Sequence, residues 1–412
     1  MGTCSRLRDI AHGSLALWVV LPARNSGATD LRKLRSQHAD IILRVVKESP
    51  HGSKPSIACV LDLVRELSPR ISTIDVQVAS FEFDDTDSGR ELLIAMTTAH
   101  LPVLRSLYVH YDGDSWEDPH PPALLPLWDT LHSDTLAGLS SLHLRRCGNI
   151  ELRGLPPRLE DLVLDGTFTQ LPPDDMVHAF GRLNCLHTLA LSWQDDILAG
   201  DQNTWSPGAP QFDFQLHAFS IDAPPYICAG LLERMRIPED CAITLCIRRN
   251  TMADANVIVR CTSALEEHWR HHWHAPEASP FEEVIIKDGA RLPWRPYESD
   301  ELEVSVNSFG PRGPRTLLRV CIEYTPLLLD ASSFLWQVGR SDMLAGVVRL
   351  CLSASRLHPL PVPFPGVKKL EYRCQIEFGG PVFQLCNAAR MLPEYQLVDT
   401  LILNGLVINS GQ

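Results

Sequence analysis

The twelve cysteines include no C-x-x-C pair, and no Asn-x-Ser/Thr acceptor occurs anywhere in the sequence. The first absence removes the usual zinc and dithiol signatures and leaves scattered thiols, expected to be buried and reduced. The second fits a chain that stays out of the secretory pathway. Long hydrophobic runs are missing near the start: Leu15 to Leu21 is far short of a membrane span, and Asp9 and His12 precede it, a poor signal-peptide context. The cytosol or the nucleus is the expected compartment, with no membrane partner. Basic residues are also in short supply, 37 Lys and Arg against 50 Asp and Glu, for a net charge of -13. Phosphate backbones are held mainly by Lys and Arg, so nucleic acid is not an expected partner.

Enzyme signatures are absent too. There is no G-x-x-x-x-G-K-[ST] phosphate loop, no G-x-G-x-x-G and no G-x-S-x-G elbow; Gly138-Leu-Ser-Ser-Leu lacks the second glycine. The expectation is a non-catalytic chain without a cofactor, with a hydrolase or metal-dependent enzyme as a remote alternative. One local cluster has metal-ligand chemistry, His268-Trp-Arg-His271-His272-Trp-His274. On a helix His268 and His272 share a face, but no H-E-x-x-H spacing or cysteine pair completes a site. The expectation there is a helix anchored by Trp269 or Trp273, with no metal.

What is present is a repeated strand signature, two apolar residues in an L-x-L pair with a third apolar residue three places earlier. It reads Leu104-x-x-Leu107-x-Val109, Leu139-x-x-Leu142-x-Leu144, Leu159-x-x-Leu162-x-Leu164 and Leu186-x-x-Leu189-x-Leu191. It returns at Phe281-x-x-Val284-x-Ile286, Val347-x-x-Leu350-x-Leu352, Val367-x-x-Leu370-x-Tyr372 and Val398-x-x-Leu401-x-Leu403. Weaker copies start at Ile71 and Leu216. Spacings of about 20 to about 35 residues lie close to those of leucine-rich repeats, whose units bury their apolar residues only when stacked. Cys147 stands where such a repeat takes Asn or Cys.

The fold class expected is therefore α/β, an irregular leucine-rich-repeat-like solenoid of strand plus helix or loop, with a short helical segment at the N-terminus. Helical returns are expected at Gly89–His100 and Met176–Phe180, and Leu155-Pro-Pro and Leu171-Pro-Pro read as loops. The domain reading is residues 1–25 as a separate short segment, 26–70 as a helical linker or cap, and 71–412 as the array. Around 195–345 the strand-like pieces are irregularly spaced, and irregular repeats are expected rather than an enzyme domain.

Charge is uneven: residues 74–134 hold twelve acids against Arg90 and Arg105, whereas residues 1–55 hold nine Lys and Arg against four acids. A solvated acidic face explains this, and a surface that steers a basic partner is the functional alternative. Interfaces are enriched in aromatic anchors, which makes Tyr108, Tyr111, Trp116 and Trp193, each in or after a strand, the candidate partner-binding residues. The competing reading is that they pack under loops.

Residues Thr3 to Val19, TCSRLRDIAHGSLALWV, resemble the second half of the F-box in a large family of mushroom-type fungal proteins, where the segment reads like V-C-R-x-W-R-x-I-A-x-x-T-P-x-L-W. Cys4, Arg6, Arg8, Ile10, Ala11, Leu17 and Trp18 fit it; Leu7 replaces the Trp and Leu15 the Pro. The loose repeats that follow are similar to the same family. The resemblance implies a substrate receptor of a cullin-type ubiquitin ligase. Leu7, Ile10, Leu17 and Trp18 would touch the Skp-type adaptor, and the repeats would hold the target. The sequence starts within that motif, so a free-standing repeat scaffold without ligase association is the alternative.

Overall fold

The computed structural model describes residues 20–22, 36, 39–45, 57–77, 99–110, 137–145, 152–165, 173–193, 212–238, 240–247, 255–270, 283–288, 300–310, 313–324, 347–354, 367–374, 400–403 and 406–409. It is a mixed α/β protein whose strands are mostly parallel and whose helices are few among those residues. The chain divides into two units, Met1–Gly200 and Asp201–Gln412.

In the first unit the strands are β1 (Val20–Pro22), β2 (Ile41–Val45), β3 (Ile71–Gln77), β4 (Ser106–His110), β5 (Ser141–Arg145), β6 (Asp161–Asp165) and β7 (Thr188–Ser192). They lie side by side in chain order, every pair parallel. Period-two alternation decides which side chains go inward. The register stacks Ile74, Leu107, Leu142, Leu162 and Leu189 in one row and Val76, Val109, Leu144, Leu164 and Leu191 in another. All ten are buried. The apolar residue three places earlier is buried as well, at Leu104, Leu139, Leu159 and Leu186. A tight turn delivers it: the N–H groups of Leu104, Leu159 and Leu186 donate to the carbonyls of Leu101, Pro156 and Leu183.

Each new strand is then clipped to the last at one repeat position. The Arg105 carbonyl accepts from the N–H groups of both Ser140 and Ser141, Ser140 O from Glu160 and Asp161, and Glu160 O from His187 and Thr188. Gly138 permits this approach, because a Cβ there would lie 3.1 Å from the Leu104 carbonyl oxygen.

Helix α1 (Ile57–Leu67) buries Val60, Leu63, Val64 and Leu67 at i, i+3, i+4 and i+7 and exposes Asp62, Arg65 and Glu66. A 3-10 turn over Ser68–Arg70, with Pro69 inside it, separates α1 from β3. Arg70 reaches back to donate to Ala39 O and Ser36 Oγ, tying the entries of β2 and β3 together. The segment 26–70, expected as a helical linker, thus supplies a sheet strand as well as a helix, and β1 lies within 1–25. Helix α2 (Pro173–Phe180) contains the expected helical stretch and buries Met176, Val177, Ala179 and Phe180. Pro173 opens this helix rather than a loop, since its missing N–H has no partner to lose at that position. The helix expected at Gly89–His100 falls outside the described residues except for its last two positions, which are not helical.

The second unit holds a small parallel pair, β8 (Phe212–Asp213) with β10 (Met235–Arg236), apart from its main sheet. The main sheet is formed by β9 (Ala218–Ala223), β11 (Ala242–Ile247), β12 (Glu283–Asp288), β13 (Asp300–Gly310), β14 (Gly313–Tyr324), β15 (Arg349–Ala354), β16 (Lys369–Cys374), β17 (Thr400–Leu403) and β18 (Leu406–Asn409). Their order is β9-β11-β14-β13-β12-β15-β16-β17-β18.

Here the regular repeat breaks down. The pairs β12–β13, β13–β14 and β17–β18 are antiparallel, and β14 returns beside β11. Two strands of 11 and 12 residues joined by a short connection form a hairpin, which local turn geometry permits and a repeat spacing does not encode. The apolar row nonetheless runs on through Phe219, Ile243, Leu318, Val306, Val284, Leu350 and Leu370, all buried. Helices α3 (Pro225–Arg234) and α4 (Ala255–Arg270) pack together. Cys261 donates to Pro225 O, and Arg260 grips Glu233 through two hydrogen bonds of 2.9 and 2.7 Å.

Candidate interaction faces

In an ordinary parallel sheet helices cover both faces, so both are apolar. Here the alternation leaves the face opposite the core polar or mixed. In the first unit the middle residues of the L-x-L pairs form one row, Asp75, Tyr108, His143, Val163 and Ala190, each half-buried. The row on one side is Thr73, Ser106, Ser141, Asp161 and Thr188, and on the other Gln77, His110, Arg145, Asp165 and Ser192.

At the centre the Tyr108 and His143 rings meet edge to face, centroids 4.5 Å apart and planes at 67°. The Ser141 hydroxyl donates to the Tyr108 hydroxyl at 3.4 Å. Burial, the largest cause, lowers the His143 pKa; nearby Asp161 raises it and His110 lowers it again. The imidazole is therefore neutral at pH 7, able to donate and accept one hydrogen bond each. Two ion pairs flank this centre, Arg44 with Asp75 at 2.9 Å and Arg145 with Asp165 at 3.1 Å. Both keep much of their side-chain surface in water. The hydroxyl of Ser141 is directed to Tyr108 rather than to His143, so the trio lacks the nucleophile-to-base bond of acyl-transfer sites. What it offers is an aromatic centre, neutral hydrogen-bonding groups and balanced charge at the rim.

In the second unit the same repeat positions carry a buried polar chain crossing five strands. Thr316 donates to Asn307 at 2.8 Å, and the Asn307 amide donates to Glu283 at 2.8 Å. Arg349 pairs with Glu283 at 3.0 Å and with Glu371 at 2.9 Å. Asn307, Glu283 and Glu371 are buried, and about a third of the Arg349 side chain is exposed. The hydrogen bond to Glu371 raises the Arg349 pKa, burial opposes this, and the charges of Glu283 and Glu371 add to the rise.

Of the residues singled out in the sequence, Tyr108 lies on the first unit's polar face. Trp193 does not: it is 2% exposed and belongs to the core just after β7. A large apolar ring at the end of a strand gains more by filling that space than by facing water. Tyr111 and Trp116, and Leu7, Ile10, Leu17 and Trp18 of the F-box-like segment, lie outside the described residues. His268 is in α4, and His271, His272 and His274 lie outside the description. Among the described residues no group of three His, Cys, Asp or Glu is placed to hold a metal ion, and no helix is long and apolar enough to cross a membrane.

Sequence reasoning missed His143 and the whole Glu283–Arg349–Glu371 chain. The signal was there: His143 and Glu371 are the middle residues of L-x-L pairs, and Glu283 and Arg349 immediately precede the first apolar residue of theirs. Only the register shows that these positions become neighbours. No family model, no curated protein and no solved structure matches the chain.

Proposed function

We propose that the chain is a leucine-rich-repeat-like scaffold that binds a protein through the polar face of its first unit. One observation carries this reading: a ladder of parallel strands packs one apolar face and leaves the other half-exposed, with Tyr108 and His143 at its centre. A solenoid accounts for such a sheet, because each coil closes its own back and leaves the strand face open. Aromatic anchors ringed by neutral polar groups and balanced ion pairs suit a protein surface better than a nucleic acid.

The F-box-like segment extends the proposal to a substrate receptor of a cullin-type ubiquitin ligase, with residues Thr3 to Val19 toward the Skp-type adaptor and the strand face toward the target. The test is affinity purification from a eukaryotic lysate, read by mass spectrometry. Baits are this chain, a version carrying a complete F-box, and a Tyr108→Ala/His143→Ala variant of each. The receptor reading expects adaptor and cullin with the completed bait, and a further set of proteins lost at least tenfold on the double variant. A retained set that ignores the double substitution refutes the face, and a completed bait without adaptor refutes the ligase assignment.

A further inference from the structure

We propose that Asp161, beside Tyr108 and His143, seats an arginine side chain of the protein held by the first unit's face. This rests on the reading above and names the chemistry of the partner. Asp161 of β6 is the register partner of Ser141 of β5 and stands half-buried on the face opposite the core. Two other acids of that face are neutralised within the fold, Asp75 by Arg44 at 2.9 Å and Asp165 by Arg145 at 3.1 Å. Asp161 has no such cation among the described residues. Its charge acts on His143, which burial keeps neutral at pH 7. The fold therefore leaves one negative charge uncompensated next to the aromatic centre of the face.

The surroundings select which cation fits. Ser141 and Thr188 are the register partners of Asp161 on its two sides, so hydroxyl oxygens flank the carboxylate within its row. The Tyr108 hydroxyl reaches the Ser141 hydroxyl at 3.4 Å, which brings the phenol end to about one strand spacing, ~4.8 Å, from the Asp161 column. Tyr108 and His143 meet edge to face, and the ring that presents its edge keeps both faces clear of the other. A guanidinium matches this set: its planar fork donates to both carboxylate oxygens and to a neighbouring hydroxyl, and its flat face stacks on an aromatic ring. The lysine ammonium is a strongly hydrated point charge and uses less of it. The net charge of -13, with twelve acids in residues 74–134, steers a basic segment toward the same unit.

The experiment titrates the full chain, labelled at histidine, with the blocked peptide acetyl-Gly-Ser-Arg-Ser-Gly-amide and follows the His143 imidazole by NMR. The same peptide with lysine or with uncharged citrulline in place of arginine gives the comparison. Saturable movement of the His143 signal is expected with arginine, about fivefold weaker binding with lysine, and none with citrulline. Asp161→Asn should weaken arginine binding about fivefold or more, because the charge is lost and the shape is kept. Citrulline or lysine binding as tightly as arginine overturns the proposal on the parent chain alone, as does full arginine affinity in folded Asp161→Asn. Proteins captured from lysate separate the two readings. A set lost on Tyr108→Ala/His143→Ala but retained by Asp161→Asn would keep the face and refute the arginine seat, whereas a set indifferent to the double variant refutes the face itself.

Discussion

The polar faces of the two units are built on the same repeat positions and treat polar groups in opposite ways. In the first unit Tyr108, His143 and their neighbours stay half-exposed, and the Arg145–Asp165 pair keeps about 40% of each side chain in water. In the second unit Glu283, Asn307 and Glu371 are buried, and each has a partner in an unbroken chain from Thr316 to Glu371. A solvated polar group costs little to leave alone, whereas a buried one must be paired or it destabilises the fold. One face keeps its polar groups half-exposed, and the other uses its polarity to hold its own strands in register.

The largest effect should come from what the units share, the apolar ladder. Leu162 is fully buried within its row, and Leu162→Ala should lower the unfolding free energy by about 3 kcal/mol, read from the urea midpoint. A loss below about 1 kcal/mol would mean that the ladder is not the core.

The two arginines separate the faces most directly. Arg349→Ala strands two buried carboxylates and should cost about 3 kcal/mol. Arg145→Ala breaks an exposed pair and should cost under about 1 kcal/mol. Replacing all three charged groups together, Glu283→Leu, Arg349→Met and Glu371→Leu, should recover most of the loss, because no unpaired charge then remains buried. Equal costs for Arg349 and Arg145 would erase the distinction between the faces.

Gly138→Ala should cost about 1 kcal/mol, since the new methyl meets a backbone carbonyl at 3.1 Å and one strand entry must shift. Thermal unfolding against the parent checks it, and an unchanged midpoint would mean that the entry is loose.

The smallest effect is the pH dependence of the first face. His143 has a folded pKa below its ordinary 6.5, so the unfolded chain binds the proton more readily. Its contribution is present above pH 6.5 and is lost as pH falls through the lower folded value. His143→Gln should flatten the stability profile in that window, and an unchanged slope would remove the imidazole from the half-buried centre.

Much of the ladder was legible because side-chain alternation is local. Leu107-x-Val109, Leu142-x-Leu144, Leu162-x-Leu164 and Leu189-x-Leu191 announce strands whatever stands beside them, and all became strands with those residues inward. Strand β2 carried the same sign at Ile41-x-Leu43 but lacked the apolar residue three places earlier, where His38 stands, and so escaped notice. The β13–β14 hairpin was illegible for another reason: spacing along the chain does not tell whether a strand returns antiparallel beside its predecessor or beside a distant one. Trp193 stood as a candidate anchor beside the reading that it packs under a loop, because an aromatic side chain after a strand can serve an interface or a core, and the fold puts it in the core.

The sequence by itself determined that strands recur, which of their residues are apolar, and that their middle positions face away from the core, because these follow from a two-residue period in a single chain. Tertiary structure decided which strands are neighbours, and with that which polar residues meet. Glu283, Arg349 and Glu371 are scattered across 89 positions of sequence, yet they form one charged chain because hydrogen-bond register, set between strands, brings them into adjacent rungs.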